Sequence, residues 1–249
     1  MTTPSAATRP TALALSPHLD DAVFSCGGTL ARLAAAGWRV AIATVFTQSV
    51  PNPTGFALAC QLDKGLGPAV DYMALRREED AAAAAILGGE TRWLPFAEAP
   101  HRGYGSAAEL FGPPLEEGEL VAALAEAVRD LVRHEAPALL LAPQAVGGHV
   151  DHVQLVRAID LAGPEVSTTW WRDFPYSARH EHPAEPFRDR FAALPPHDTA
   201  LNTAEQDAKR RACLVYASQL GFQFRGPGGL DAKLAASGFV EHLRGAAPP

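Results

Sequence analysis

The sequence predicts an α/β fold: a single Rossmann-like domain with a mainly parallel sheet and helices on both faces. Three observations lead there. Short apolar runs alternate with helical patterns along the chain, the order that packs helices onto a parallel sheet. Two of those runs, residues 39–46 (RVAIATVF) and 138–142 (ALLLA), lack the polar alternation of a half-exposed strand and so read as covered on both faces. The runs at 11–15 and 138–142 each end in a Pro-containing break followed by a His/Asp cluster.

The elements follow in order. Residues 11–15 form the first strand, stopped at Ser16-Pro17. A helix spans 22–36, interrupted only by Gly27-Gly28, and Gly37 ends it before strand two at 39–46. Residues 47–68 carry Pro51, Pro53, Gly55, Gly65 and Gly67, an irregular connection of the kind that covers a cleft. Asp71 caps a helix over 72–87, closed by Gly88-Gly89. Strand three falls at 92–96, a second irregular segment at 97–118, and a helix at 119–134. After strand four the loop 143–152 leads into a helix marked by Val153, Leu155, Val156 and Ile159. Residues 168–174 give a fifth strand and 203–219 a late helix. The domain is expected over 11–245, between a flexible segment 1–10 and a tail 246–249, with loops 47–68 and 97–118 as candidate lids.

Composition narrows the function classes. The 249 residues are 47% hydrophobic and 20% charged, an ordinary globular balance. No run approaches the ~20 apolar residues of a membrane helix, and residues 1–10 lack an apolar signal segment, so a cytoplasmic protein with no membrane partner is expected. The net charge of −7 without a basic block offers a nucleic acid little attraction. Cys26, Cys60 and Cys213 are far apart and odd in number, which argues against both a disulfide framework and a thiolate metal site. A metal would have to use imidazole and carboxylate.

Such groups cluster twice, as His18-Leu-Asp20-Asp21 after strand one and His149-Val-Asp151-His152 after strand four. In a sheet ordered 3-2-1-4-5 these strands are neighbours at the switch point, where ligands bind. Either cluster alone is as readily a capped surface turn. Two at the ends of adjacent buried strands point to one site, and two His with one Asp form a complete ligand set for a catalytic zinc with an open position.

The pair of clusters resembles the signatures of the LmbE-like, or PIG-L, metal-dependent deacetylases: His-Pro-Asp-Asp after the first strand and His-x-Asp-His after a later one. Arg76 and Glu79 with Leu87-Gly88, the segment Asp173-Phe-Pro-Tyr176, and Lys209 with Tyr216-Ala-Ser-Gln219 are similar to further family segments in the same order. The chain departs at Leu19, where proline is usual, and keeps every ligand position. The resemblance implies that His18, Asp21 and His152 hold Zn²⁺, with Fe²⁺ or Co²⁺ acceptable to the same donors, and that Asp20 is the general base. His149 is then the expected oxyanion stabiliser, a protonated imidazole whose ring Asp151 holds and keeps charged. It also implies a small-molecule amino-sugar substrate, an N-acetylglucosamine-type amide.

Lesser signals are weighed against plainer readings. Arg76 is expected to contact substrate or to pair with Glu79 on the helix surface. Arg102 and Tyr104 are candidate sugar contacts, Asp173 and Tyr176 approach from strand five, Cys26 is a small buried residue, and His180 and His182 are solvated. Competing functions are an amidase for a larger thiol-sugar conjugate, a phosphoesterase, which would want more carboxylates and a basic pocket, and a non-catalytic metal or sugar binder, for which Asp20 has no use. A homo-oligomer is compatible with the sequence.

Overall fold

The computed structural model describes residues 9–179 and 181–249. A seven-stranded sheet runs through it in the order β3-β2-β1-β4-β5-β7-β6. The strands are β1 (Thr11–Ser16), β2 (Arg39–Thr44), β3 (Glu90–Trp93), β4 (Leu139–Pro143), β5 (Thr168–Trp171), β6 (Pro196–Ala200) and β7 (Val240–Gly245). The first five are parallel, and β7 pairs antiparallel with both β5 and β6. Ten α-helices accompany them among the described residues: α1 (Asp21–Ala35), α2 (Gly55–Asp63), α3 (Tyr72–Ile86), α4 (Ala107–Leu110), α5 (Gly118–Glu135), α6 (Val150–Ala162), α7 (Arg188–Ala192), α8 (Thr203–Val215), α9 (Ala217–Phe224) and α10 (Pro227–Ala236). None is long and apolar enough to cross a membrane.

Strand pleating divides the core in two. Ala12 and Ala14 of β1 pack with α1, α3 and α8 on one face, while Leu13 and Leu15 pack with α5 and α6 on the other, as successive side chains on a strand must. Burial on both faces accounts for the unalternated runs in β1, β2 and β4.

Several boundaries differ from the sequence expectation, each for a physical reason. Strand three pairs at 90–93, opposite Ala41 to Thr44, and the chain at 94–96 meets the end of β2 only through a Phe46–Pro95 bridge. Strand five stops at Trp171, before Phe174-Pro175. The late helix divides at Tyr216, where Glu79 supplies a cap in trans: its carboxylate accepts from Ser218 N–H (2.8 Å) and Ser218 Oγ (2.6 Å) at the start of α9. Glu79 therefore does not pair with Arg76. Segment 47–68 is not wholly irregular, because it contains α2. The connections after strand five hold two further strands and α10. Ala246 is not a frayed tail, since its N–H donates to Thr168 O (2.9 Å) and its carbonyl accepts from Thr169 Oγ1 (2.6 Å). Of the expected flexible segment, residues 1–8 lie outside the described residues, as does His180.

The break in α1 falls at Cys26, whose backbone leaves the helical region (φ −132°, ψ 22°). The second half is capped by Glu241 of β7, whose carboxylate accepts from Gly28 N–H, Thr29 N–H and Thr29 Oγ1 at 2.6–2.8 Å. Lys209 of α8 completes that buried cluster, with Nζ 2.6 Å from Glu241. A Cβ at Gly28 would come within 2.3 Å of Leu201, so only glycine admits this packing. Replacing Glu241 by Ala strands the Lys209 charge and two helix N–H groups. The expected loss is about 3–5 kcal/mol, read as a lowered urea midpoint; a change under about 1 kcal/mol would contradict this account.

Candidate metal centre

Both clusters leave the carboxyl ends of adjacent strands, as Ala14 of β1 pairs with Leu141 of β4. After β1 the Ser16 hydroxyl donates to His18 O (2.7 Å) and accepts from Ala22 N–H (3.0 Å), closing a tight loop onto α1. Leu19, the position where proline was expected, is fully buried, and the loop holds without a ring. After β4 the chain turns through positive φ at Ala145, Gly147 and Gly148. That turn presents His149 as the cap of α6, with its ring Nδ1 accepting from Asp151 N–H (3.2 Å).

Asp21 stands between two imidazoles. Its Oδ2 lies 3.0 Å from His18 Nδ1 and 3.1 Å from His152 Nε2. Donors at ~2.0–2.1 Å from a tetrahedral ion are ~3.3–3.4 Å apart, so these two separations are close to the edges of such a site. The outer nitrogens of both rings end on carboxylates: His18 Nε2 is 2.9 Å from Asp151 Oδ2, and His152 Nδ1 is 2.8 Å from Asp173 Oδ1. The outer nitrogens donate to these carboxylates, the arrangement that orients a metal-binding His. Against the cost of burial, the carboxylates on both sides raise the two rings above their ordinary range, His152 to about 9, and a bound cation would take the place of the inner protons. His152 Nε2 is fully buried and has no hydrogen-bond partner. A buried ring nitrogen without a hydrogen-bond partner, beside an imidazole and a carboxylate, fits a cation. The ring nitrogens of His18, His149 and His152 also lie within 4.8 Å of one another, but the 3.0–3.1 Å contacts and the anionic donor favour the set containing Asp21.

Electrostatics separates the two neighbouring aspartates. Against the cost of burial, the His152 and His18 rings hold Asp21 well below the usual carboxylate range, so it stays an anion. Asp20 is pushed up to about 7, chiefly by burial, with the Arg76 guanidinium opposing the rise and the Asp21 charge adding to it. Its Oδ1 is 3.5 Å from Arg76 Nη2, while Oδ2 has no hydrogen-bond partner. Arg76 is itself fixed by Glu98 (2.5 Å) and by Leu19 O (3.3 Å).

The second cluster departs from the expected roles. Asp151 does not hold the His149 ring: its carboxylate meets His18, Ala99 N–H (3.1 Å) and Arg102 Nη2 (2.7 Å). Burial, with the His18 ring next to it, lowers His149 to about 3, so the imidazole is neutral. Arg102 and Tyr104 do not line the cavity as sugar contacts. Glu117 draws them behind Asp151, accepting from Arg102 Nε (2.7 Å) and Tyr104 Oη (2.9 Å). Neither Glu98 nor Glu117 carries a sequence signal that singles it out; Asp173 was marked by its Phe-Pro-Tyr segment.

A cavity of about 430 Å³ opens above these groups, with His18, Asp20, Arg76, His149 and Asp151 on its floor. Phe56, Ala57 and Cys60 of α2 wall one side, and Phe111 and Phe222 stand exposed at its edge. Segment 47–68 thus does contribute cover, as a helix.

The profile of the family described as PIG-L, GlcNAc-PI de-N-acetylase, matches residues 13–162. The chain is 37% identical over 174 residues, 68% of its length, to a 2'-N-acetylparomamine deacetylase of Streptomyces fradiae, and the match spans 58% of that relative. A second 2'-N-acetylparomamine deacetylase, of Niallia circulans, is 27% identical over 83% of the chain and 79% of the relative. Among solved structures, the A40926 pseudoaglycone deacetylase Dbv21 superposes with a TM-score of 0.80 at 31% identity, covering 96% of this chain and 98% of that one. A zinc-inhibited form of the teicoplanin deacetylase Orf2 gives 0.80 at 25% identity with the same coverage.

Asp173 meets His152 Nδ1 at 2.8 Å and so restrains that ring. In Asp173→Ala, divalent-cation affinity measured by calorimetry is expected to fall roughly 10–100-fold with the fold intact; unchanged affinity would remove Asp173 from the centre.

Proposed function

The chain belongs to the GlcNAc-PI de-N-acetylase (PIG-L) family, and from that premise we propose that it is a zinc-dependent N-deacetylase that releases acetate from an N-acetylated amino sugar. Asp20 carries the reading. Its carboxylate lines the cavity beside the His18–Asp21–His152 set and has one buried oxygen without a hydrogen-bond partner, and a merely structural or metal-storing loop has no need of it.

His18, Asp21 and His152 would hold the cation, which supplies Lewis acidity to the amide carbonyl and lowers the pKa of an adjacent water from 15.7 to about 7. Asp20 takes a proton from that water as its oxygen attacks the carbonyl carbon. When the carbon–nitrogen bond breaks, Asp20 returns the proton to the departing nitrogen, leaving acetate and a free amine. Arg76 opposes the effect of burial on Asp20 and so favours the ionised form that must accept the first proton.

His149 acts as a neutral donor, not as an imidazolium. Its Nδ1 accepts from the first turn of α6, which leaves the ring proton on Nε2 for the carbonyl oxygen. Neutral imidazole at a helix N-terminus is an established electrophile in other enzymes.

For substrate, the reading favours an amino sugar within an aminoglycoside or glycopeptide over a free monosaccharide. The relatives that the chain resembles are named for such compounds, and the apolar wall of α2 with Phe111 and Phe222 suits the remainder of a larger glycoside. No observation favours the thiol-sugar amidase. A phosphoesterase is disfavoured because the basic group on the floor, Arg76, is already neutralised by Glu98 and Asp20.

The test is acetate and free-amine release from N-acetylated aminoglycoside fragments by zinc-supplemented protein. The wild type is expected to turn over, and Asp20→Asn to lose about 10²–10⁴ in kcat while retaining one cation per chain. Full activity in Asp20→Asn would remove the base from the scheme, and absence of amine release by the wild type would refute the substrate class.

A further inference from the structure

The chain has four tyrosines, and three of them have engaged hydroxyls. Tyr104 donates to Glu117 (2.9 Å), Tyr216 donates to Asp80 (2.9 Å), and Tyr72 accepts from Gln219 Nε2 (2.8 Å). Tyr176 is the exception. It is 8% exposed and lines the cavity, yet its hydroxyl has no hydrogen-bond partner among the described residues. Its oxygen is not among the buried atoms left without a partner, so a molecule in the cavity can reach it.

The surroundings hold the ring closely. Tyr176 follows Phe174-Pro175 in a short 3₁₀ turn (Tyr176–Ala178), and its Cβ lies where a side chain on Gly147 would be: a Cβ there would come within 2.6 Å. The ring meets His152 edge to face (5.4 Å between centroids, 83° between planes) and Phe111 at 5.9 Å, while the Arg179 guanidinium sits 4.8 Å from its centroid. His149 lies 5.5 Å from His152 and 5.3 Å from Phe111. Tyr176 and His149 thus occupy alternate corners of a four-ring arrangement, one on either side of His152.

We infer that Tyr176 is a catalytic hydrogen-bond donor, giving its phenolic O–H to the oxygen of the scissile amide from the side opposite His149. The assignment rests on the deacetylase reading above. As the water oxygen bonds to the carbonyl carbon, the carbonyl π pair moves onto oxygen; the two O–H and N–H donors stabilise that charge without transferring a proton. When the carbon–nitrogen bond breaks, the pair returns to re-form the carbonyl of acetate. Burial pushes the Tyr176 phenol above its ordinary range, so it is a donor throughout the neutral range, and a donor with no protein partner needs no rearrangement to serve the substrate.

The variant Tyr176→Phe keeps the ring and its packing on Gly147 and His152 while removing the hydroxyl. With zinc-supplemented protein and an N-acetylated aminoglycoside fragment, kcat is expected to fall about 10²–10³-fold, with KM, cation content and thermal midpoint close to wild type. Affinity for a methylphosphonamidate analogue of the tetrahedral species should drop by the same factor as kcat/KM, and affinity for the free-amine product should not move. An active wild type with Tyr176→Phe within about threefold of it in kcat, or a loss confined to KM, overturns this assignment alone. A wild type that releases no acetate overturns both the assignment and the reading beneath it.

Discussion

One carboxylate oxygen shared by two imidazoles sets the terms for everything around it. Asp21 Oδ2 sits about equally far from His18 and His152, and none of the three side chains is more than a tenth exposed. Polar groups so deep are costly unless every lone pair and proton has a partner. Asp151 and Asp173 supply the outer partners, one for each ring. The inner atoms are left converging on a single point. Those two carboxylates are anchored in turn, Asp151 by Arg102 and Ala99 N–H, and Asp173 by Val146 N–H. The rings therefore have little freedom to turn away.

Rigidity comes from the sheet. β1 and β4 are buried on both faces and hydrogen-bonded on both edges, and sites built at the ends of such strands are held more closely than sites on free loops. The groups that approach from farther along the chain are less constrained by it: Asp173 and Tyr176 arrive after β5, and the apolar wall arrives from α2, Phe111 and Phe222. This divides the cavity into a polar floor set by the strand ends and an apolar rim carried by α2, Phe111 and Phe222.

That division also explains what could be read from the sequence. β1, β2 and β4 were legible because apolar runs without alternation have few readings, and the two His/Asp clusters stood out because each followed such a run. Interactions between distant segments were not. Nothing in the residues around Glu79 shows that it caps α9, nor around Glu117 that it pulls Arg102 and Tyr104 away from the cavity. α2 escaped notice because Pro51, Pro53 and Gly55 bracket its start and because its helical pattern is short. The surroundings of His149 are hidden for a related reason: the carboxylate of Asp151, its near neighbour in sequence, is spatially a partner of His18. β6 (PHDTA) and β7 (VEHLRG) carry neither an apolar run nor a polar–apolar alternation, so nothing distinguishes them from loops.

The central claim is the identity of the three donors. Crystals of the zinc-loaded protein, measured on both sides of the zinc absorption edge, would locate the ion directly. The account predicts one strong anomalous peak ~2.0–2.2 Å from a His18 nitrogen, an Asp21 oxygen and His152 Nε2. A peak bound by His149 in place of Asp21, or located away from the ends of β1 and β4, would contradict it.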